Sequence, residues 1–92
     1  MASSSTQTVT IPNRLGMHAR PATLFAETAG RFGSDVTVRR NDGGDPVDGK
    51  SIMQLMMLAA TEGTALVIDA KGDDADDAVA SLVGLVQGGF DE

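Results

Sequence analysis

Residues 16–22 read Gly-Met-His-Ala-Arg-Pro-Ala, and His18 is the one histidine among 92 residues. A neutral imidazole nitrogen is a competent nucleophile, so the neighbours decide what it could carry. Gly16 lets the chain bend ahead of it, and Pro21 falls in the first turn of a helix, where a missing N–H costs nothing. The backbone N–H groups of Ala19 and Arg20 are then first-turn donors pointing outward at the positive end of the helix dipole. Such a place receives anions. The planar guanidinium donors of Arg20 suit phosphate oxygens. The best-matched chemistry is a phosphoryl group carried covalently on a ring nitrogen of His18, with Arg20 as its charge partner. Without these neighbours His18 would read as an ordinary cap or surface residue, and Arg20 as a solvated charge at the unfavourable end of a helix.

Other histidine chemistries lack their partners. A nucleophilic triad needs a hydroxyl and an orienting carboxylate; Thr23, Ser51 and several aspartates exist, but no nucleophile-elbow motif does. Zinc would require three carboxylates to join a lone histidine in a chain without cysteine. Neither a GxxxxGK[ST] loop nor a GxGxxG turn is present to bind a nucleotide, so the chain is expected to carry phosphate rather than consume ATP. The run Asp73-Asp74-Ala75-Asp76-Asp77 lacks the alternating ligands and central glycine of a calcium loop, and acids opening a helix complement its dipole. No metal and no cofactor is expected.

The elements that must position His18 follow from periodicity. Gln7 to Ile11 alternates as a half-buried strand, closed by Pro12 and Asn13. From Pro21 the apolar residues Ala22, Phe25, Ala26 and Ala29 mark a helical stripe that ends near residues 30–33. Asp35 to Arg40 alternates again, and Asn41-Asp42-Gly43-Gly44 is turn chemistry leading to a short return strand at residues 46–48, which Pro46 assigns to a sheet edge. Residues 51–60 read SIMQLMMLAA, a short helix opened by Lys50 or Ser51, whose methionines serve either as core filling or as an adhesive surface. A fourth strand spans Thr64 to Ala70. Ala75, Ala78, Val79, Leu82 and Val86 form the stripe of a third helix.

The order βαββαβα predicts an α/β (α+β) two-layer sandwich: four strands covered on one face by three helices, with Gln7, Thr8, Thr10, Thr37 and Arg39 on the open face. Hydrophobic residues make up 41% of the chain in spaced clusters, which predicts a single domain over residues 1–92 with residues 1–6 and 88–92 as flexible tails. No transmembrane run or disulfide framework is available. Met1 to Thr6 lacks the basic and apolar segments of a signal peptide, so a cytoplasmic monomer is expected. The net charge of −6 argues against nucleic acid and anionic lipid as partners. Six of the seven basic residues, Arg14, Arg20, Arg31, Arg39, Arg40 and Lys50, lie in the first 50, which allows a local cationic face.

Two blocks carry a family resemblance. Gly16-Met17-His18-Ala19-Arg20-Pro21-Ala22 is similar to the active-site motif of the HPr family, the histidine-containing phosphocarriers of the bacterial phosphoenolpyruvate-dependent phosphotransferase system. Residues 49–58, GKSIMQLMML, resemble that family's regulatory serine segment. The resemblance runs from about Thr8 to Val86. It implies an open-faced sandwich with an antiparallel sheet in the order 1-4-2-3. It implies further that His18 takes a phosphoryl group through its pros nitrogen, Nδ1, from enzyme I and passes it to a IIA domain. Arg20 would sit beside that group, and Ser51 would match the serine that HPr kinase/phosphorylase modifies in many bacteria. Met17, Met53, Met56 and Met57 are the expected docking contacts, with Lys50 and Arg20 as rim charge.

The chain departs from the family pattern in three places. The turn from Asn41 to Pro46 is a little longer, Gly49 stands where a larger apolar residue is commoner, and Met17 replaces a more frequent leucine. On this reading the protein is a covalent phosphoryl carrier, not a stand-alone enzyme. The alternative is a regulatory interaction module governed by His18 and Ser51 phosphorylation without sugar transport. Ser51 reads equally as a plain helix N-cap, because a good cap is also a good phosphosite.

Overall fold

The computed structural model describes residues 3–91, in the order β1 (Ser3–Thr10), α1 (Ala19–Gly30), β2 (Asp35–Arg40), β3 (Val47–Asp48), α2 (Ile52–Met57), β4 (Ala65–Gly72), α3 (Ala75–Gln87) and a closing 3-10 turn (Gly89–Asp91). The strands form one antiparallel sheet in the order β1-β4-β2-β3. The expected open-faced sandwich and strand order are therefore present.

Register puts the apolar positions on one face. Val9 lies opposite Leu66, Val38 opposite Ile68, and Val36 opposite Ala70. Opposed residues in an antiparallel pair share a face, so these side chains form one surface. The helices cover it with Ala22, Phe25, Ala26 and Ala29 from α1, Leu55 from α2, and Ala78, Val79, Leu82 and Val86 from α3, all buried in one cluster. On the other face Thr8 and Thr37 are exposed, but Val67 is only 3% exposed. β4 lies between β1 and β2, and Thr8 and Arg39 stand directly opposite Val67 and shield it.

Three expectations need correction. The tail expected over residues 1–6 is strand from Ser3: Ser3 pairs with Gly72 and Thr6 with Asp69, because β4 runs on to Gly72 and supplies backbone partners. A Ser-rich edge strand shows no apolar alternation to announce it. The tail expected over residues 88–92 is ordered through Asp91. The chain turns at Gly89 (φ 69) and Phe90 (φ 57) and buries the Phe90 ring completely. Met1, Ala2 and Glu92 lie outside the described residues. Gln7, placed on the open face by sequence, is opposite Ile68 on the helix side, and stays exposed because β1 is the sheet edge.

Two loop positions hold the layers together. The carboxylate of Asp74, at the start of α3, accepts hydrogen bonds from the backbone N–H of Gly33 (2.9 Å) and Ser34 (3.0 Å) and from the Ser34 hydroxyl. Those bonds, the Ser34 hydroxyl foremost, hold its carboxyl below the ordinary value of 3.8. Gly49 is buried where a Cβ would stand 2.6 Å from Val36 Cγ1, so a larger residue has no room beside this valine.

Candidate functional site

His18 is the N-cap of α1, with extended backbone (φ −84, ψ −171), and its carbonyl accepts the Ala22 N–H at 3.0 Å. Its ring is half-buried and does not cap the helix. Pro21 has no N–H and the Ala22 N–H is used, so the first-turn donors are those of Ala19 and Arg20, both exposed. No acidic residue stands in the first turn of α1, in contrast to α3, where Asp76 and Asp77 occupy that position. The positive end of α1 thus carries a histidine and an arginine but no internal anion.

The loop before His18 is held by backbone. The Met17 N–H donates to the Ala60 carbonyl at 2.9 Å, the His18 N–H to the Gly16 carbonyl at 3.0 Å, and Asn13 Nδ2 to that same carbonyl at 2.9 Å. Gly16 sits at φ +66, and a Cβ there would lie 2.3 Å from the Ala60 oxygen and 2.7 Å from Thr61 Cα. Glycine is therefore demanded twice, by conformation and by the close approach of a second chain segment. Through Met17 and Ala60 the chain just beyond the C-terminal end of α2 is tied to the histidine loop.

That end of α2 has its own clamp, which sequence reasoning missed. Arg40 Nη1 donates to the carbonyls of Leu58 (3.3 Å) and Ala59 (3.1 Å), while Nε and Nη2 donate to the two carboxylate oxygens of Asp42 at 3.0 and 2.9 Å. The bidentate bond lowers the Asp42 carboxyl from its usual range and raises the Arg40 guanidinium. Ala59 lies at φ 53, a left-handed turn that frees the carbonyls Arg40 takes up. The signal in the sequence was an arginine ending a strand and an aspartate two residues on in the longer turn.

Ser51 caps α2, its Oγ accepting the Gln54 N–H at 3.2 Å, while Gln54 Oε1 accepts the Asp48 N–H at 2.9 Å. The Ser51 side chain is half-buried. Lys50 Nζ donates to the Phe32 carbonyl at 2.9 Å, just past the C-terminal end of α1. A helix of 12 residues is about 18 Å long. Lys50 is thus at the opposite end of α1 from His18, exposed immediately before the N-cap of α2.

Of the four methionines expected as docking contacts, Met53, Met56 and Met57 are exposed on α2. Met17 is not: it is 5% exposed and belongs to the core, because its backbone bond to Ala60 turns the side chain inward. Leu15 and Ile52 are exposed large apolar residues that sequence reasoning did not single out; Leu15 lies in an aperiodic loop where no pattern marks its face. Among the described residues no group of three His, Asp or Glu is placed to hold a metal ion, and no helix is long and apolar enough to cross a membrane.

Comparison with known proteins agrees with this geometry. The family described as "PTS HPr component phosphorylation site" matches residues 5–88. The phosphocarrier protein HPr of Pseudomonas aeruginosa is 49% identical over 84 residues, covering 91% of this chain and 92% of the relative. The phosphocarrier protein NPr of Escherichia coli K12 is 40% identical over 86 residues, 94% of each chain. The crystal structure of HPr from Thermoanaerobacter tengcongensis superposes with a TM-score of 0.88 at 39% identity, covering 96% of this chain and 97% of that one. With the family match spanning nearly all of the fold, and His18 at the uncapped head of α1, the chain belongs to the HPr family of phosphotransferase-system phosphocarriers.

Proposed function

We propose that this protein, as a cytoplasmic monomer, accepts a phosphoryl group from phospho-enzyme I on Nδ1 of His18 and delivers it to a IIA domain. The ring nitrogen forms the N–P bond as the bond to the donor breaks, and the sequence of bond changes reverses at the acceptor. The Ala19 and Arg20 N–H groups and the Arg20 guanidinium receive the phosphoryl oxygens. The observation that carries this reading is the head of α1: a histidine N-cap whose ring does not cap, followed by an arginine, with no acid in the first turn. Partners dock on the exposed apolar residues Ile52, Met53, Met56 and Met57 of α2, with Leu15.

Phosphorus NMR after incubation with phosphoenolpyruvate and enzyme I tests this directly. An acid-labile Nδ1-phosphohistidine resonance is expected, absent in His18→Ala; no resonance with the cognate enzyme I would overturn the proposal. Arg20→Ala should slow transfer by roughly 10–100-fold, because a hydrogen bond to a charged group contributes about 1.5–3 kcal/mol.

A regulatory role is the second reading, favoured by the placement of Ser51. Its half-buried hydroxyl opens α2 beside the docking residues, where HPr kinase/phosphorylase would add about −1.5 to −2 charges. Ser51→Asp is expected to weaken enzyme I docking while leaving the phosphohistidine, once formed, equally acid-labile.

A further inference from the structure

The chain contains no cysteine. Its thioethers are therefore its only sulfur atoms. Those in the described residues fall into two sharply different settings. Met53 is 78% exposed, Met57 76% and Met56 45%, all on α2, whereas Met17 is 5% exposed inside the core. Met53 and Met57 are four residues apart, which places them as neighbours on the surface of one short helix. With no thiolate to react first, a peroxide meeting this protein finds these sulfurs as the most accessible soft nucleophiles among the described residues.

We propose that Met53 and Met57 form a reversible oxidation site through which peroxide turns down phosphoryl transfer. The proposal rests on the reading of α2 as the docking helix. A sulfur lone pair attacks one oxygen of hydrogen peroxide; the S–O bond forms as the O–O bond breaks, and the departing hydroxide takes up the remaining proton as water. Sulfur is oxidised by two electrons and peroxide is reduced. Peroxide is neutral, so the net charge of −6 does not exclude it. The product sulfoxide converts a flexible apolar contact into a polar one, and methionine sulfoxide reductases restore it.

The consequence is specific to this surface. A partner that buries the α2 patch would have to desolvate two S=O dipoles, and nothing in an apolar contact replaces their water. The core is untouched, since its one thioether, Met17, is buried within it, and His18 offers no sulfur. Oxidation would therefore raise the concentration of enzyme I, or of carrier, needed for transfer without altering the phosphohistidine itself.

The test begins with the unmodified protein and enzyme I, where formation of phosphohistidine on His18 establishes the carrier reading independently. The protein is then treated with limiting hydrogen peroxide and mapped by peptide mass spectrometry. Addition of 16 mass units, roughly one oxygen, is expected at Met53 and Met57 well before Met17. The KM for carrier in transfer from enzyme I should rise on the order of tenfold with kcat little changed, and treatment with sulfoxide reductases should reverse it. In the variant Met53→Leu/Met57→Leu, which keeps the apolar bulk, KM is measured before and after peroxide, and the rise relative to the variant's own untreated value should be mostly lost. Oxidation of Met17 at the same rate as Met53, or an unchanged KM with Met53 and Met57 fully oxidised, would overturn the proposal. Absence of phosphohistidine before any oxidant is added would instead defeat the carrier reading.

Discussion

Gly16 shows how much a single position can decide about the site. Its left-handed φ and its contact with the Ala60 carbonyl leave no space for a methyl group. Gly16→Ala is expected to lose more than about 3 kcal/mol of stability in urea unfolding, from left-handed strain plus a backbone clash. It should also lower the rate of phosphohistidine formation, since the displaced loop carries His18. Gly49 is limited chiefly by a side chain: Val36 Cγ1 would lie 2.6 Å from an added Cβ, with Val36 Cβ and the Val36 carbonyl oxygen each at 3.2 Å. Gly49→Ala should cost about 1–3 kcal/mol by overpacking against Val36. In the Val36→Ala background the same change should cost clearly less, a coupling that a double-mutant cycle measures directly. Residues 49 and 36 thus compete for one packing volume.

At the scale of elements, α2 is held at both ends by groups outside it. Ser51 and Gln54 close its start, while Arg40, braced by Asp42, closes its end and so supports the Ala60 carbonyl that anchors Met17. Arg40→Ala is expected to leave the sheet intact and to speed amide hydrogen exchange at Met17 and at the last turn of α2. The join between α1, β2 and α3 depends on a carboxylate. Because Asp74 has its carboxyl lowered in the folded protein, it binds fewer protons folded than unfolded on acidification. Its contribution is present above the ordinary carboxylate value of 3.8 and is lost as pH falls through the lower folded value. Asp74→Asn should therefore reduce the midpoint of thermal unfolding at neutral pH and flatten the fall in that midpoint below pH 3.8.

On the scale of the whole molecule, the core is closed by one aromatic ring that arrives last in the chain. Phe90 is fully buried after α3 has ended, held by a left-handed turn that only the surrounding packing maintains. Phe90→Ala should cost about 3–5 kcal/mol, a large share of the roughly 5–15 kcal/mol that stabilises a domain of this kind, and a midpoint shift in urea would measure it. Fold class, element order and the placement of His18 and Arg20 at the head of α1 were legible in the sequence, because strand alternation, helical stripes and the Pro21 helix start are local patterns within a few residues. Register carried the rest. Ser3–Thr6 became strand because β4 extends to Gly72, Phe90 became core because the turn after α3 carries it into the hydrophobic cluster, and Lys50 reaches the Phe32 carbonyl at the far end of α1. Met17 illustrates the difference most clearly, standing beside His18 in the motif yet packed inward, away from Met53 and Met57. Its side of the surface was settled by the bond from its N–H to Ala60, some forty residues on, and a contact of that separation leaves no periodic trace in the chain.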